Sequence, residues 1–99
     1  MTNHNKYECV IILSEKMSEE EVNKIDNDLK NIFQNCGANN IILDKKEKRK
    51  FAYPIKKLEY GYYLFYKFES PADTIDKIKE SIKHNENILR SYFINYGRD

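Results

Sequence analysis

The chain has no tryptophan, three glycines, two prolines and two cysteines among its 99 residues. Gly37, Gly61 and Gly97 stand far apart, so no glycine-rich loop is available to cradle a phosphate. No G-x-S-x-G elbow occurs, and neither His4 nor His84 lies in a pattern that would activate a nucleophile. The histidines are not spaced with Cys9 and Cys36 as zinc ligands, which argues against a metal site, and no cofactor is called for. The first ten residues, MTNHNKYECV, lack an apolar stretch after a basic region, so no secretory signal is expected. A reducing compartment follows, in which both cysteines read as small buried apolar residues rather than a disulfide. No apolar run approaches the ~20 residues a helix needs to span a bilayer. These absences argue against an enzyme, a membrane partner and a small-molecule substrate.

What remains is a single domain over residues 1–99, because a second core would not fit in this length. An apolar fraction of 40%, a charged fraction of 33% and thirteen aromatic residues suit a small, strongly solvated globule rather than a disordered chain.

Residues 7–13 (YECVIIL) form a β-rich run that becomes apolar on both parities, which predicts a central strand. Ser18 followed by Glu19, Glu20 and Glu21 supplies a capping box, and the acidic first turn favours the helix dipole. Val22, Ile25, Leu29, Ile32, Phe33 and Cys36 recur at helical spacing, and Gly37 suits the position just past the helix end. The opposite stripe, including Asp26 and Lys30, reads as solvated. Residues 40–53 predict a long strand, bulged or bent, whose charged middle projects beyond the sheet body and which ends at Pro54 or runs along an edge. A turn over 58–61 and a strand over 62–68 complete a hairpin. Ser70 as N-cap with Pro71 and Asp73 behind it predicts a second helix striped by Ile75, Ile78 and Ile82. Residues 88–96 give a last strand.

The order β-α-β-β-α-β is that of an α+β, ferredoxin-like domain: a four-stranded antiparallel sheet with two helices on one face, ordered over about residues 6–96. Its other face is then uncovered. The strand over 62–68 carries Tyr62, Tyr66 and Phe68 on one parity and Tyr63 and Phe65 on the other, so one ring set must face outward.

The densest signal is residues 45–68. From Lys45 to Lys57 seven cationic side chains meet one anionic, a local charge of +6 in a chain whose total is +1. Cations interleaved with rings suit phosphates and bases, though a solvated lysine-rich loop before an ordinary strand would look the same. Base stacking in the manner of the RRM is poorly supported, because Gly61-Tyr62-Tyr63-Leu64 lacks the small residue and the second aromatic at the required places. The rings read better as divided between core and a protein contact.

Lys6-Tyr7-Glu8, the block Arg49-Lys50-Phe51-Ala52-Tyr53-Pro54-Ile55-Lys56-Lys57, Gly61-Tyr62-Tyr63 and Asn85-Glu86-Asn87-Ile88-Leu89-Arg90 together resemble the family of bacterial small ribosomal subunit protein six. That resemblance implies no catalysis. It implies a structural role on the small subunit of a cytoplasmic or organellar ribosome, bound to the central domain of 16S ribosomal RNA with small-subunit protein eighteen. Arg49 and Lys50 match the family's basic pair and Arg90 its arginine entering the last strand, with Lys56 at a less constant position; these are the implied RNA contacts. Tyr53, Pro54 and Tyr62 match the hairpin signature and are the implied partner contacts. Lys45-Lys46-Glu47-Lys48 departs from the family pattern, which leaves the bulge or turn there open. The alternative class is a small ferredoxin-like regulator binding a metabolite.

Overall fold

Residues 4–98 are described by the computed structural model, which contains β1 (Asn5–Ser14), α1 (Glu19–Asn35), β2 (Asn39–Ile55), β3 (Leu58–Ser70), α2 (Thr74–Ile82) and β4 (Ile88–Arg98). The strands form one antiparallel sheet in the order β2-β3-β1-β4, so β1 and β3 are central and β2 and β4 are edges. This is the expected ferredoxin-like arrangement.

Ser18 caps α1 through its hydroxyl to the Glu21 amide, and Glu21 returns a carboxylate to the Ser18 amide, which completes the capping box. The Ser18 amide, which donates to the Glu21 carboxylate, favours its charged form most, and the Ser18 hydroxyl adds to this, so the Glu21 carboxyl is held below the usual range. Gly37 follows the helix with φ 110°, a backbone that side chains disfavour. The predicted stripe of α1 buries Val22, Ile25, Leu29 and Phe33 against Cys9, Ile11 and Leu13 of β1 and Leu64, Tyr66 and Phe68 of β3. Phe33 sits between two rings, edge-on to Tyr66 at 5.2 Å and tilted against Phe68 at 5.4 Å. Tyr62, Leu64, Tyr66 and Phe68 of β3 therefore face the helices, and Tyr63 and Phe65 face the other way.

Several expectations need correction. Asp26 is not simply solvated: it accepts the hydroxyl of buried Tyr66 at 2.7 Å and pairs with Lys30 at 3.3 Å. Cys9 is buried as expected, but Cys36 is only half-buried, with its Sγ 3.7 Å from the Ser81 hydroxyl. The second helix begins at Thr74 rather than behind Ser70, because Ser70 is still paired with Asn5 in the sheet and its hydroxyl bonds to the Pro71 carbonyl. The hairpin turn lies at Lys56-Lys57, not over 58–61, and β3 starts at Leu58.

The charged middle of β2 does not project; it pairs with the body of β3, from Lys45↔Phe65 to Lys50↔Tyr60. A register shift between Leu43 and Lys45 makes this tolerable. Before it, Ile41 and Leu43 point at the helices; after it, Lys46, Lys48 and Lys50 take that side, while Lys45, Glu47, Arg49 and Phe51 turn to the open face. A second irregularity between Lys50 and Ile55 holds residues 51–54 out of regular pairing with β3, where Pro54 has no ladder hydrogen bond to lose.

Candidate functional site

The open face of the sheet has a small apolar cluster of its own. Ile12, Phe51 and Leu89 are buried there without help from either helix, with Val10, Ile55, Leu58 and Tyr63 packed around them. Two local features build it. Phe51 lies across Gly61, so closely that a Cβ at Gly61 would stand 2.4 Å from the Phe51 Cζ. In β4, a register shift between the pairs Ile12↔Arg90 and Leu13↔Ile88 leaves Leu89 as the extra residue, which packs into the open-face cluster.

Beside this cluster is a shallow hollow of about 540 Å³. Its floor is Ile12, Phe51 and Tyr63, and its rim includes Arg49, Arg90 and Tyr92. Tyr53 is 83% exposed and Tyr92 53% exposed, so both offer rings to a partner rather than to the core. Further along the same face, Tyr63 and Phe65 stack at 6.1 Å with 25° between their planes.

The Arg49 guanidinium sits over both rings, 5.3 Å from the Tyr63 centroid and 5.2 Å from that of Phe65. Its Nε and Nη2 both engage the Glu47 carboxylate, and Lys45 approaches the same carboxylate at 3.3 Å and the Phe65 ring at 5.8 Å. The hydrogen bond from Arg49, ahead of the weaker Lys45 contribution, holds the Glu47 carboxyl below the usual glutamate range. Three charges and two rings thus form one flat strip.

The remaining cations of the basic run are elsewhere. Lys46 pairs with Glu19 at 3.4 Å, and Lys48 with Glu15 at 3.8 Å while covering the Tyr62 ring at 5.9 Å. Lys50, Lys56 and Lys57 are exposed and make no ion pair among the described residues.

The structure therefore brings Arg49, Arg90, Tyr53 and Pro54 together around one hollow. It does not bring Lys50 or Lys56 there: Lys50 points to the helix side opposite Tyr60, and Lys56 is in the hairpin turn. Tyr62 lies on the other face, half-buried against the main core. Sequence reasoning passed over Ile12, Phe51, Leu89 and Tyr92 as parts of the site. The double parity of the first strand signalled Ile12; the others depend on two bulges that no spacing announces.

A family model described as Ribosomal protein S6 matches residues 6–95. The chain is 33% identical over 84 residues to small ribosomal subunit protein bS6 of Thermosynechococcus vestitus, covering 85% of this chain and 74% of that one. It is 31% identical to small ribosomal subunit protein bS6c of Pyropia yezoensis, over 87% of this chain and 79% of the relative. Among solved structures, 30S ribosomal protein S6 from Thermotoga maritima superposes with a TM-score of 0.81 at 22% identity, covering 94% of this chain and 88% of that one, which establishes a shared fold.

Proposed function

The chain belongs to the ribosomal protein S6 family, a structural component of the small ribosomal subunit, and on that footing we propose that it binds the central domain of 16S ribosomal RNA jointly with small-subunit protein eighteen. The observation that carries this reading is the uncovered sheet face. Among the described residues no element covers its apolar cluster and half-exposed rings, and arginines stand at the rim. Burying a tyrosine-rich hollow is the ordinary source of protein–protein affinity, with aromatic and arginine anchors dominating. Here protein eighteen takes the hollow and Tyr53, Pro54 and Tyr92 meet it.

RNA contact then falls to cations at the margins. Arg49, Lys50, Lys56 and Arg90 are the candidates, and phosphate neutralisation by such groups positions a protein without reading sequence. About three to five phosphate contacts would give a log–log salt slope of roughly −2 to −4. With a total charge of only +1, the attraction is local, and RNA affinity in isolation is modest. The regulator reading rested on fold and aromatic face alone and gains nothing from the family assignment.

Sedimentation of a lysate in low salt, in cells carrying the tagged chain, tests this. The chain should travel with small subunits of cytoplasmic ribosomes. Recovery only in ribosome-free fractions, as a homodimer, would sink the proposal.

A further inference from the structure

The end of the β2–β3 hairpin runs beyond the last β1–β3 pair, Ser14↔Gly61, so Leu58, Glu59 and Tyr60 have no β1 partner in the ladder, and the two-residue turn Lys56-Lys57 is the tip. Both turn residues have positive φ, 49° and 68°. Tight hairpins of this geometry favour Asn-Gly, because glycine meets no steric penalty there and asparagine tolerates it. Lysine has neither property. Packing does not require the two lysines, since both are exposed and neither makes an ion pair among the described residues.

The seven cations of the run divide accordingly. Glu47 holds Lys45 and Arg49, Glu19 holds Lys46, and Glu15 holds Lys48. Each of these four shares its charge with a carboxylate, which offsets part of its attraction for a phosphate. Lys50, Lys56 and Lys57 do not, among the described residues. Lys50 is opposite Tyr60 and the turn begins three residues from it at Lys57, about 10 Å at the usual rise, so the three lie at one end of the hairpin. Glu59 is the single carboxylate between residues 50 and 60 and pairs with none of them among the described residues.

We infer that the hairpin tip, Lys50 with Lys56 and Lys57, is the grip on the RNA phosphate backbone, and that the unfavourable turn is retained for its charge. Arg49, held by Glu47 over Tyr63 and Phe65, is then part of the protein-facing surface rather than the leading phosphate contact. This inference rests on the proposed RNA binding and assigns it to particular atoms, the three Nζ groups.

The test compares the full chain with Lys56→Asn/Lys57→Gly and Lys56→Arg/Lys57→Arg, in thermal melts and in binding to a central-domain 16S RNA fragment with protein eighteen present. Relief of the turn should raise the Tm of Lys56→Asn/Lys57→Gly by about 4–8 °C. Loss of two phosphate contacts should weaken its binding on the order of 10- to 50-fold near 0.1 M salt and make the salt slope shallower by about 1.5. The arginine pair should keep wild-type affinity and slope. Wild-type affinity and slope in Lys56→Asn/Lys57→Gly would overturn the grip, and an unchanged Tm would overturn the retention of an unfavourable turn. A wild-type chain that fails to bind this RNA at low salt would instead bring down the proposed function itself.

Discussion

Gly61→Val is expected to lower stability by about 3 kcal/mol, at the upper end of what overpacking costs, and the Tm by about 10–25 °C for a domain of this size. The reason is local and two-sided. A Cβ at Gly61 would meet the Phe51 ring at 2.4 Å and the Leu13 carbonyl oxygen at 2.8 Å. The ring could swing away, but it would then uncover Ile12 and Leu89 on the open face. The carbonyl belongs to central strand β1, which is paired on both sides and has little room to move. Gly97→Ala is the control, since its Cβ would first meet the Lys6 side chain, at an ordinary 3.6 Å. Paired thermal melts decide the matter. A Gly61→Val chain melting within a degree or two of wild type would show that Phe51 does not close the open-face cluster as described.

The second large effect concerns the partner surface. Tyr92→Glu should weaken the complex with protein eighteen at least ~30-fold, the loss of one hot-spot anchor of ~2 kcal/mol. Tyr92 stands opposite Val10 at the rim of the hollow and is half-exposed, so the substitution leaves the core intact. A carboxylate there must be desolvated against Phe51 and Tyr63 when a partner closes over it. Asn31→Glu, exposed on α1 and hence on the covered side of the sheet, adds the same charge and should change nothing. Titration calorimetry with protein eighteen distinguishes the two. Equal affinity of Tyr92→Glu and wild type would move the partner off this face.

Much of this architecture is legible in the residues. Ser18 with Glu21, the stripe from Val22 to Phe33, Gly37 and the isoleucines of α2 each obey a local rule, and each is found where the rule puts it. The ring alternation of β3 correctly demanded two faces, although it could not say which parity the helices cover. That choice depends on Tyr66 reaching Asp26 and Phe33, contacts forty and thirty-three residues distant in the chain. The turn falls before residues 58–61 because Lys56-Lys57 adopts it against the Asn-Gly preference that marks tight hairpins in a sequence. Ser70 looked like a cap because it precedes a proline, but its pairing with Asn5 extends the strand past the local signal.

The site was legible in composition and not in geometry. The basic run and the rings are conspicuous, yet which cations share a face with which rings is decided by the register shift after Leu43. One residue of slip turns Lys45 and Arg49 toward Tyr63 and Phe65, and sends Lys46 and Lys48 toward Glu19 and Glu15. The single anion of the run, Glu47, carries as much consequence as the cations around it, since it holds Arg49 in place over the rings.

The most direct test of the account is the affinity of this chain for the central-domain RNA, measured with and without protein eighteen over a range of salt. Joint binding predicts weak RNA affinity for the chain alone, a large gain when protein eighteen is added, and a log–log slope of roughly −2 to −4 for the pair. Full affinity without protein eighteen, or binding that does not weaken between low and moderate salt, would contradict it.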